Sequence, residues 1–446
     1  MNVNVSEQIN TANVSSYQVR VVILCALVAL LDGLDIQTMA IVAPRMAEDW
    51  GLPTSAFGPV LSASFAGIML GTASLGALGD RIGRRKVVIG AFLIVGIASM
   101  LTALASSIVP LMILRFITGF AIGGCLPNIT ALTSEFVPAK RVGLAVTLMY
   151  SAVPLGGVLG SFIAGDLIEL IDWQGIFILG GVIPLVICVA LVFALPESIR
   201  FMVANDGDPA QVGKLLAKVD KRYTYEQGHR FVIDSGMHKG RVSDLFAQGR
   251  GAPTLALWFT FFFGMAIMYL LASWLPSIFR NQGWPMAEAI RTVAFFQLGG
   301  IVGGLFAGWM LDRIGAHAVL IGGYSIGAAL TLAVGLYGTD PDIVRLLVVG
   351  AGFGIVGSTL CLTAFAAMLY PTAIRSTGVG WALGVGRLGA VVSPMAGGLA
   401  LAADWGQATL FGVAAIPAVL CVGGVLLLLA LHRRAEALAL RNIHPE

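Results

Sequence analysis

The chain alternates long apolar windows with short polar breaks. Twelve windows fall at about residues 20–43, 57–78, 87–107, 109–132, 143–165, 175–195, 253–279, 290–311, 316–337, 343–368, 377–400 and 408–431. Each approaches the ~20 residues that a helix needs to cross the hydrocarbon core of a bilayer. The pattern predicts an all-α integral membrane protein of twelve transmembrane helices. The one long polar stretch, with "NDGDPAQ" and "KVDKRYTYEQGHR", divides the windows six and six. The predicted organisation is a tail over 1–19, a six-helix bundle over 20–196, a linker with some short amphipathic helix over 197–252, a second six-helix bundle over 253–432 and a tail over 433–446.

Composition agrees with that pattern. Of 446 residues, 57% are hydrophobic and only 11% charged, where a soluble protein carries about 25% charged residues. The 56 glycines would weaken a soluble helical bundle, but in a bilayer small residues let helices approach closely. Cations set the orientation, because short cytoplasmic loops are enriched in Lys and Arg. With the N-terminus inside, the inner segments hold "RIGRRK", "AKR", Arg313, Arg375 and "HRRAEALALR", while "ASSIVP", "GDLIELIDWQ", "GTDPD" and "ADWGQ" lie opposite. Both termini are therefore expected to be cytoplasmic. Arg45, Arg280, Arg291 and Arg345 run against the trend. The polar first nineteen residues and the length of the first apolar run argue against a cleaved signal peptide. Five cysteines, all within predicted spans and without metal-like spacing, predict neither disulfides nor a metal site. The net charge of +3 follows from the loop bias and gives no reason to invoke nucleic acid.

A local pattern occurs in both halves. "GALGDRIGRRKVVIG" (76–90) joins the second and third spans, and "GWMLDRIGAHAVLIG" (308–322) joins the eighth and ninth. Gly76, Asp80, Arg81 and Gly83 match Gly308, Asp312, Arg313 and Gly315. A plain basic loop does not require that matched order, so the halves read as duplicated units, as in transporters that bind substrate near the bilayer midplane.

With these residues in view, the chain resembles the major facilitator superfamily along essentially its whole length. The superfamily's hallmark between the second and third helices is seen here from Gly76 through Asp80, Arg81 and Gly83 to Arg84 and Arg85, and a second hallmark closes the sixth helix as "PESIRF" (196–201). "LDGLDIQTMAIVAP" looks like the first-helix signature of the aromatic acid:proton symporter family. "CLPNITALTSE" (125–135) is similar to that family's fourth helix and "RSTGVGWALGVGRLGA" (375–390) to its eleventh. The resemblance is strongest to carriers of 4-hydroxybenzoate and protocatechuate, then of hydroxyphenylpropionate. It implies proton-coupled import of an aromatic carboxylate across a bacterial inner membrane by alternating access. The partners are then the acid, a proton and the lipid bilayer, with no cofactor and a monomer as the working unit. The second loop departs from the pattern, having "RIGAHAV" where the first has "RIGRRKV", which weakens its claim to a gating role.

Two acids, Asp32 and Asp35, sit in the first span. Asp32 lies twelve residues past Arg20, on the order of 18 Å into the span at ~1.5 Å per residue. An acid at that depth costs ~2.5–3.5 kcal/mol on insertion scales, so it needs a cavity, a partner or a proton. Positions three apart share a helix face, and the glycine between them leaves room for a ligand or an adjacent helix. Desolvation and a like charge nearby favour a group that holds a proton near neutral pH. Proton coupling is one reading of the pair; hydrogen-bonded packing between helices is the other.

An anionic cargo needs a cation. Arg387, in the glycine-rich "GVGRLG" of the eleventh span, offers a planar fork to a carboxylate. Arg115, in the fourth span, can bind substrate, snorkel to the interface or pair structurally. For the ring, the aromatic seventh span offers Tyr269 and Trp274, and Asn128 is a buried amide that must find a partner. Glu135 and Arg141 are expected to join Asp80 and Arg84 in a charge network at the end of the fourth helix, unless they are ordinary solvated loop charges. A proton antiporter of the same fold is the rival; such antiporters tend to carry Gly-Pro in the fifth helix, and here Val153 precedes Pro154. An enzyme is disfavoured, since the five histidines fall in loops or tails and no metal motif or nucleophile elbow is present.

Overall fold

A computed structural model describes all residues except 1, 221, 227–228, 233–240, 339, 372–373, 404 and 444–446, with the side chains of 2, 312 and 435–443 also outside the description. In chain order the elements are β1 (Asn2–Asn4), α1 (Val5–Thr11), α2 (Ser16–Trp50), α3 (Gly58–Ile82), α4 (Arg84–Thr102), α5 (Ile108–Phe136), α6 (Ala139–Ala194), α7 (Ile199–Ala204), α8 (Pro209–Val219), β2 (Arg230–Val232), α9 (Gly251–Asn281), α10 (Met286–Ile314), α11 (Ala316–Tyr337), α12 (Pro341–Leu369), α13 (Arg375–Ala402) and α14 (Gln407–Ile443). Ten described helices are long and apolar enough to cross a membrane. One of these, α6, has 56 residues and breaks at Asp172 (φ 56°, ψ −178°), so it supplies two crossings. With the 35-residue α2, the twelve expected spans are all present.

The break in α6 differs from expectation. The sequence suggests a loop over 166–174, but helix continues up to Asp172, whose carboxylate accepts the N–H of Trp173 at 2.8 Å. Here a single residue with helix-breaking φ replaces the loop.

The chain forms two compact units. The first holds Met1–Thr38, Ala63–Gly160 and Leu167–Gly236; the second holds Met39–Ser62, Ser161–Asp166 and Met237–Glu446. The division does not fall cleanly in the linker, because the C-terminal end of α2 and a short piece of α6 belong with the second unit.

Within each unit the same helix crossing is built from glycine. In the first, a Cβ on Gly67 or Gly71 of α3 would lie 2.3 or 1.9 Å from the carbonyl oxygens of Phe116 and Phe120 on α5. In the second, a Cβ on Gly299 or Gly303 of α10 would lie 1.9 or 2.1 Å from the carbonyl oxygens of Val349 and Phe353 on α12. The glycines are 232 residues apart in both cases (67 to 299, 71 to 303), the offset of the repeated loop (76 to 308). Lipid gives helices no hydrophobic reason to associate, so close backbone approach supplies the packing.

The N-terminal segment is not a free tail. β1 pairs in parallel with β2, Asn2 opposite Arg230. Gln8 donates to the Asp220 carboxylate at 2.9 Å, Arg222 donates to the Thr11 carbonyl at 3.0 Å and Ser15 donates to the Lys218 carbonyl at 3.1 Å. The linker helix α8 starts at Pro209 behind an Asp208 cap and buries Val212, Leu216 and Val219. This small assembly touches the membrane helices where Asn10 accepts the N–H of Ala139 at 2.8 Å and Gln18 donates to the Phe136 carbonyl at 2.6 Å.

Candidate functional site

Within the first unit, Asp35 and Arg115 meet in the interior. An Asp35 oxygen lies 3.6 Å from an Arg115 nitrogen, and Ser99 donates to the same oxygen at 3.3 Å. Arg115 also donates to Thr102 at 2.9 Å and Thr118 at 3.2 Å, and its guanidinium lies 4.9 Å from the centre of the Phe177 ring. The arginine is 2% exposed. It therefore does not snorkel; hydroxyls three residues apart on α4 (Ser99, Thr102) and the Phe177 face hold it. Removing one member of such a pair leaves a buried charge uncompensated. The sequence reading gave Arg115 and Asp35 separate tasks and missed the supporting Ser99, Thr102, Thr118 and Phe177. The one local signal is Thr118, three residues beyond Arg115 on the same helix face.

Asp32 is equally buried and lies within electrostatic reach of Cys125 on α5. Both aspartates thus face α5, the shared face their spacing predicts. The glycine between them serves the adjacent helix, since a Cβ on Gly33 would lie 1.8 Å from the Val153 carbonyl oxygen of α6.

Arg387, in the second unit, is half-buried and makes no hydrogen bond or ion pair with any described residue. Tyr269 is half-buried on α9. Trp274 is buried, and its indole N–H donates to the Pro394 carbonyl at 3.0 Å. Asn128 has its partners inside the first unit: its amide donates to the carbonyls of Leu75 at 3.1 Å and Gly124 at 2.7 Å, and Gly79 is the residue whose missing Cβ makes room for its Oδ1. This amide clamps α3 to α5.

The loop at 76–90 carries the expected charge network, with one change of membership. Arg84 lies 3.1 Å from Asp80 and 3.0 Å from Glu135 and donates to Ser198 at 3.3 Å, while Ser198 also donates to Glu135. Glu197 accepts the N–H groups of Arg85 at 3.2 Å and Ser198 at 2.9 Å. The "PESIRF" run therefore completes the network in place of Arg141. Arg141 and Arg81 are exposed, with no ion pair to a described residue. A Cβ on Gly76 would lie 3.1 Å from the Pro127 ring. Gly83 has φ 107°, where only glycine sits without strain. In the second loop Gly315 repeats that turn at φ 83°, and Arg313 lies 3.9 Å over the ring of Trp309; the Asp312 side chain is outside the description.

The four arginines that run against the loop-charge trend are all paired within the second unit. Arg280 lies 2.6 Å from Glu48, which Arg45 approaches at 3.5 Å. Arg291 pairs with Asp166 and, at 2.7 Å, with Glu288. Arg345 bridges Glu288 and Asp342, both at 2.7 Å. Each exception lies against at least one acid, Arg45 and Arg280 sharing Glu48.

Comparison with known proteins agrees with this architecture. The family model described as Major Facilitator Superfamily matches residues 25–367 and 257–443. The chain is 35% identical to a gallate transporter of Pseudomonas putida, covering 93% of each chain, and 36% identical to the 4-hydroxybenzoate transporter of Pseudomonas putida, covering 95% of each. Among solved structures, the xylose transporter XylE from E. coli superposes with a TM-score of 0.70 over 92% of this chain and 97% of that one, at 16% identity, a likeness of fold alone. A repeated loop, a repeated glycine crossing, twelve spans and matches along nearly the whole length have one common explanation: the chain belongs to the Major Facilitator Superfamily.

Proposed function

We propose that this protein imports a hydroxylated aromatic carboxylate together with a proton across the bacterial inner membrane, working as a single chain with both termini in the cytoplasm. The relatives named for gallate and 4-hydroxybenzoate support the substrate class, as does a 3-(3-hydroxy-phenyl)propionate transporter of Escherichia coli, 33% identical over 93% of this chain. The observation that carries the coupling reading is the buried pair of Asp35 and Arg115. Ionised, Asp35 neutralises Arg115; protonated, it releases Arg115 and changes which arrangement of α2, α4 and α5 is favoured. A proton bound at Asp35 thus biases a two-state element. Asp32, on the same face, is the second candidate for the proton.

Arg387 is the group proposed to meet the substrate carboxylate, since a half-buried guanidinium within a span, unpaired among the described residues, suits an anion that arrives from outside the fold. Tyr269 is proposed to contact the ring. The Arg84, Asp80, Glu135 and Glu197 network is proposed to latch one access state. Asn128 acts in this scheme through the α3–α5 contact. The proposed orientation puts the 81–86 cations in the cytoplasm, where Lys and Arg concentrate, against fewer arginines on the opposite side.

The test is uptake of labelled 4-hydroxybenzoate in cells, with excess protocatechuate, gallate, benzoate, hydroxyphenylpropionate or xylose as competitor. Uptake should rise as external pH falls and be blocked by the hydroxylated acids but not by the sugar. Failure to take up any aromatic acid would end the substrate reading and leave the fold untouched.

A further inference from the structure

Between α9, α13 and α14 of the second unit lies a cavity of about 240 Å³. Phe262, Phe263 and Trp274 of α9 and Phe411 of α14 give it aromatic walls, and α13 adds small residues that include Gly397 and Ser393; the cavity is open on one side, where Val392, Ala396 and Val413 are exposed. None of its lining residues is charged. Ser393 is 5% exposed, and its buried hydroxyl has no hydrogen-bond partner among the described residues. The Trp274 wall is fixed: its N–H is held by the Pro394 carbonyl, and a Cβ on Gly397 would lie 2.4 Å from the indole. Ser393 is six residues beyond Arg387 on α13, which at 3.6 residues per turn puts the two side chains about 120° apart around the helix.

We propose that this cavity is a second binding site, distinct from the Arg387 face, for an uncharged monocyclic aromatic compound with one hydrogen-bonding substituent, a simple phenol. Size supports it, since an apolar cavity of about 150 Å³ accepts benzene and this one leaves room for a substituent. Polarity supports it as well: an unmet hydroxyl among flat apolar walls is the arrangement that orients a small ligand. A carboxylate would find no cation here, and desolvating it without one is prohibitive. An acyl chain would bury the same apolar walls but leave the Ser393 hydroxyl unmet.

The test uses the full-length protein in nanodiscs and 4-fluorophenol, followed by ¹⁹F NMR against empty nanodiscs. The site predicts saturable broadening beyond the empty discs. Ala396→Leu, at an exposed position on the cavity lining, should remove it while 4-hydroxybenzoate uptake continues. Ser393→Ala should weaken it about tenfold. Arg387→Ala should leave it intact while uptake is lost. The proposal is overturned by the absence of saturable excess binding, by binding that Arg387→Ala removes, or by a phospholipid retained by wild type, lost in Ala396→Leu and not displaced by 4-fluorophenol.

Discussion

At 79–87 and again at 311–319 the backbone turns through one glycine with the same two hydrogen bonds: Gly83 to the Gly79 carbonyl and Val87 to the Gly83 carbonyl, then Gly315 to Leu311 and Val319 to Gly315. The charges around the two turns are not alike. The first is tied by Arg84 to Asp80 and Glu135 and by Glu197 to the N–H of Arg85, while in the second Arg313 rests on Trp309 of its own helix. The spans show the same contrast. The first unit buries Asp32, Asp35 and Arg115, whereas the second carries Arg387 in its eleventh span with no described partner. Duplication preserved what backbone geometry needs: both turns keep a glycine at positive φ, and at the helix crossings a Cβ on Gly67, Gly71, Gly299 or Gly303 would meet a carbonyl oxygen at under 3 Å. Charge was free to diverge, and the proposed function assigns the proton to the first half and the anion to the second.

The largest effect expected from breaking that asymmetry is at Arg115. Arg115→Ala strands Asp35 in the interior at a cost of about 3–5 kcal/mol, so yield and thermal stability in detergent should fall sharply, and adding Asp35→Asn should recover much of the loss. Independent, additive losses would show that the two residues are not a pair. Next come the loops. Arg84→Ala should abolish uptake or cut it at least tenfold, whereas Arg313→Ala should change it less than twofold, as an exposed contact within one helix is worth about 0.5–1 kcal/mol; equal effects would contradict the division of roles. The turn glycines should follow the same order. Gly315→Ala adds only backbone strain, about 1–3 kcal/mol, with nothing within 4 Å of the new Cβ. Gly83→Ala adds the same strain and pushes Glu197, 2.3 Å away, from its two N–H partners, so its melting temperature should drop further. The smallest effect lies outside the membrane. The hydrogen bond from Arg222 holds the Asp220 carboxyl below the usual aspartate value. A depressed folded-state pKa stabilises above the unfolded value and loses that contribution as pH falls through the folded one. Limited proteolysis of the N-terminal segment should therefore be unchanged from neutral pH down to about 5 and quicken only below about 4, with Asp220→Asn raising it modestly at neutral pH.

Much of this molecule was legible in its sequence because a bilayer imposes few solutions. Spans must be long and apolar, which fixed their number, and the matched Gly, Asp, Arg, Gly order exposed the repeat. The α6 break was hidden because the polar residues that suggest a loop, Asp166 and Asp172, serve instead as an ion-pair partner and the break itself. The pairing of β1 with β2 joins segments more than two hundred residues apart, and no local pattern announces it. Asp35 and Arg115 stand out in the sequence as charges within spans, but whether Arg115 snorkels or faces Asp35 depends on how α2 and α5 rotate in packing. Ser99 and Thr102 look like any small residues of a span until a guanidinium lies against them. The four contrary arginines became intelligible only with their acids in place, since loop-charge counting does not see partners.

The central claim is that Asp35 carries the coupled proton. Its most direct test is Asp35→Asn in proteoliposomes, comparing accumulation of 4-hydroxybenzoate driven by an imposed pH gradient with exchange against the same acid preloaded inside. The account predicts that gradient-driven accumulation disappears while exchange continues, because the substitution fixes a neutral side chain without removing the substrate site. Accumulation at the wild-type level in Asp35→Asn would contradict it.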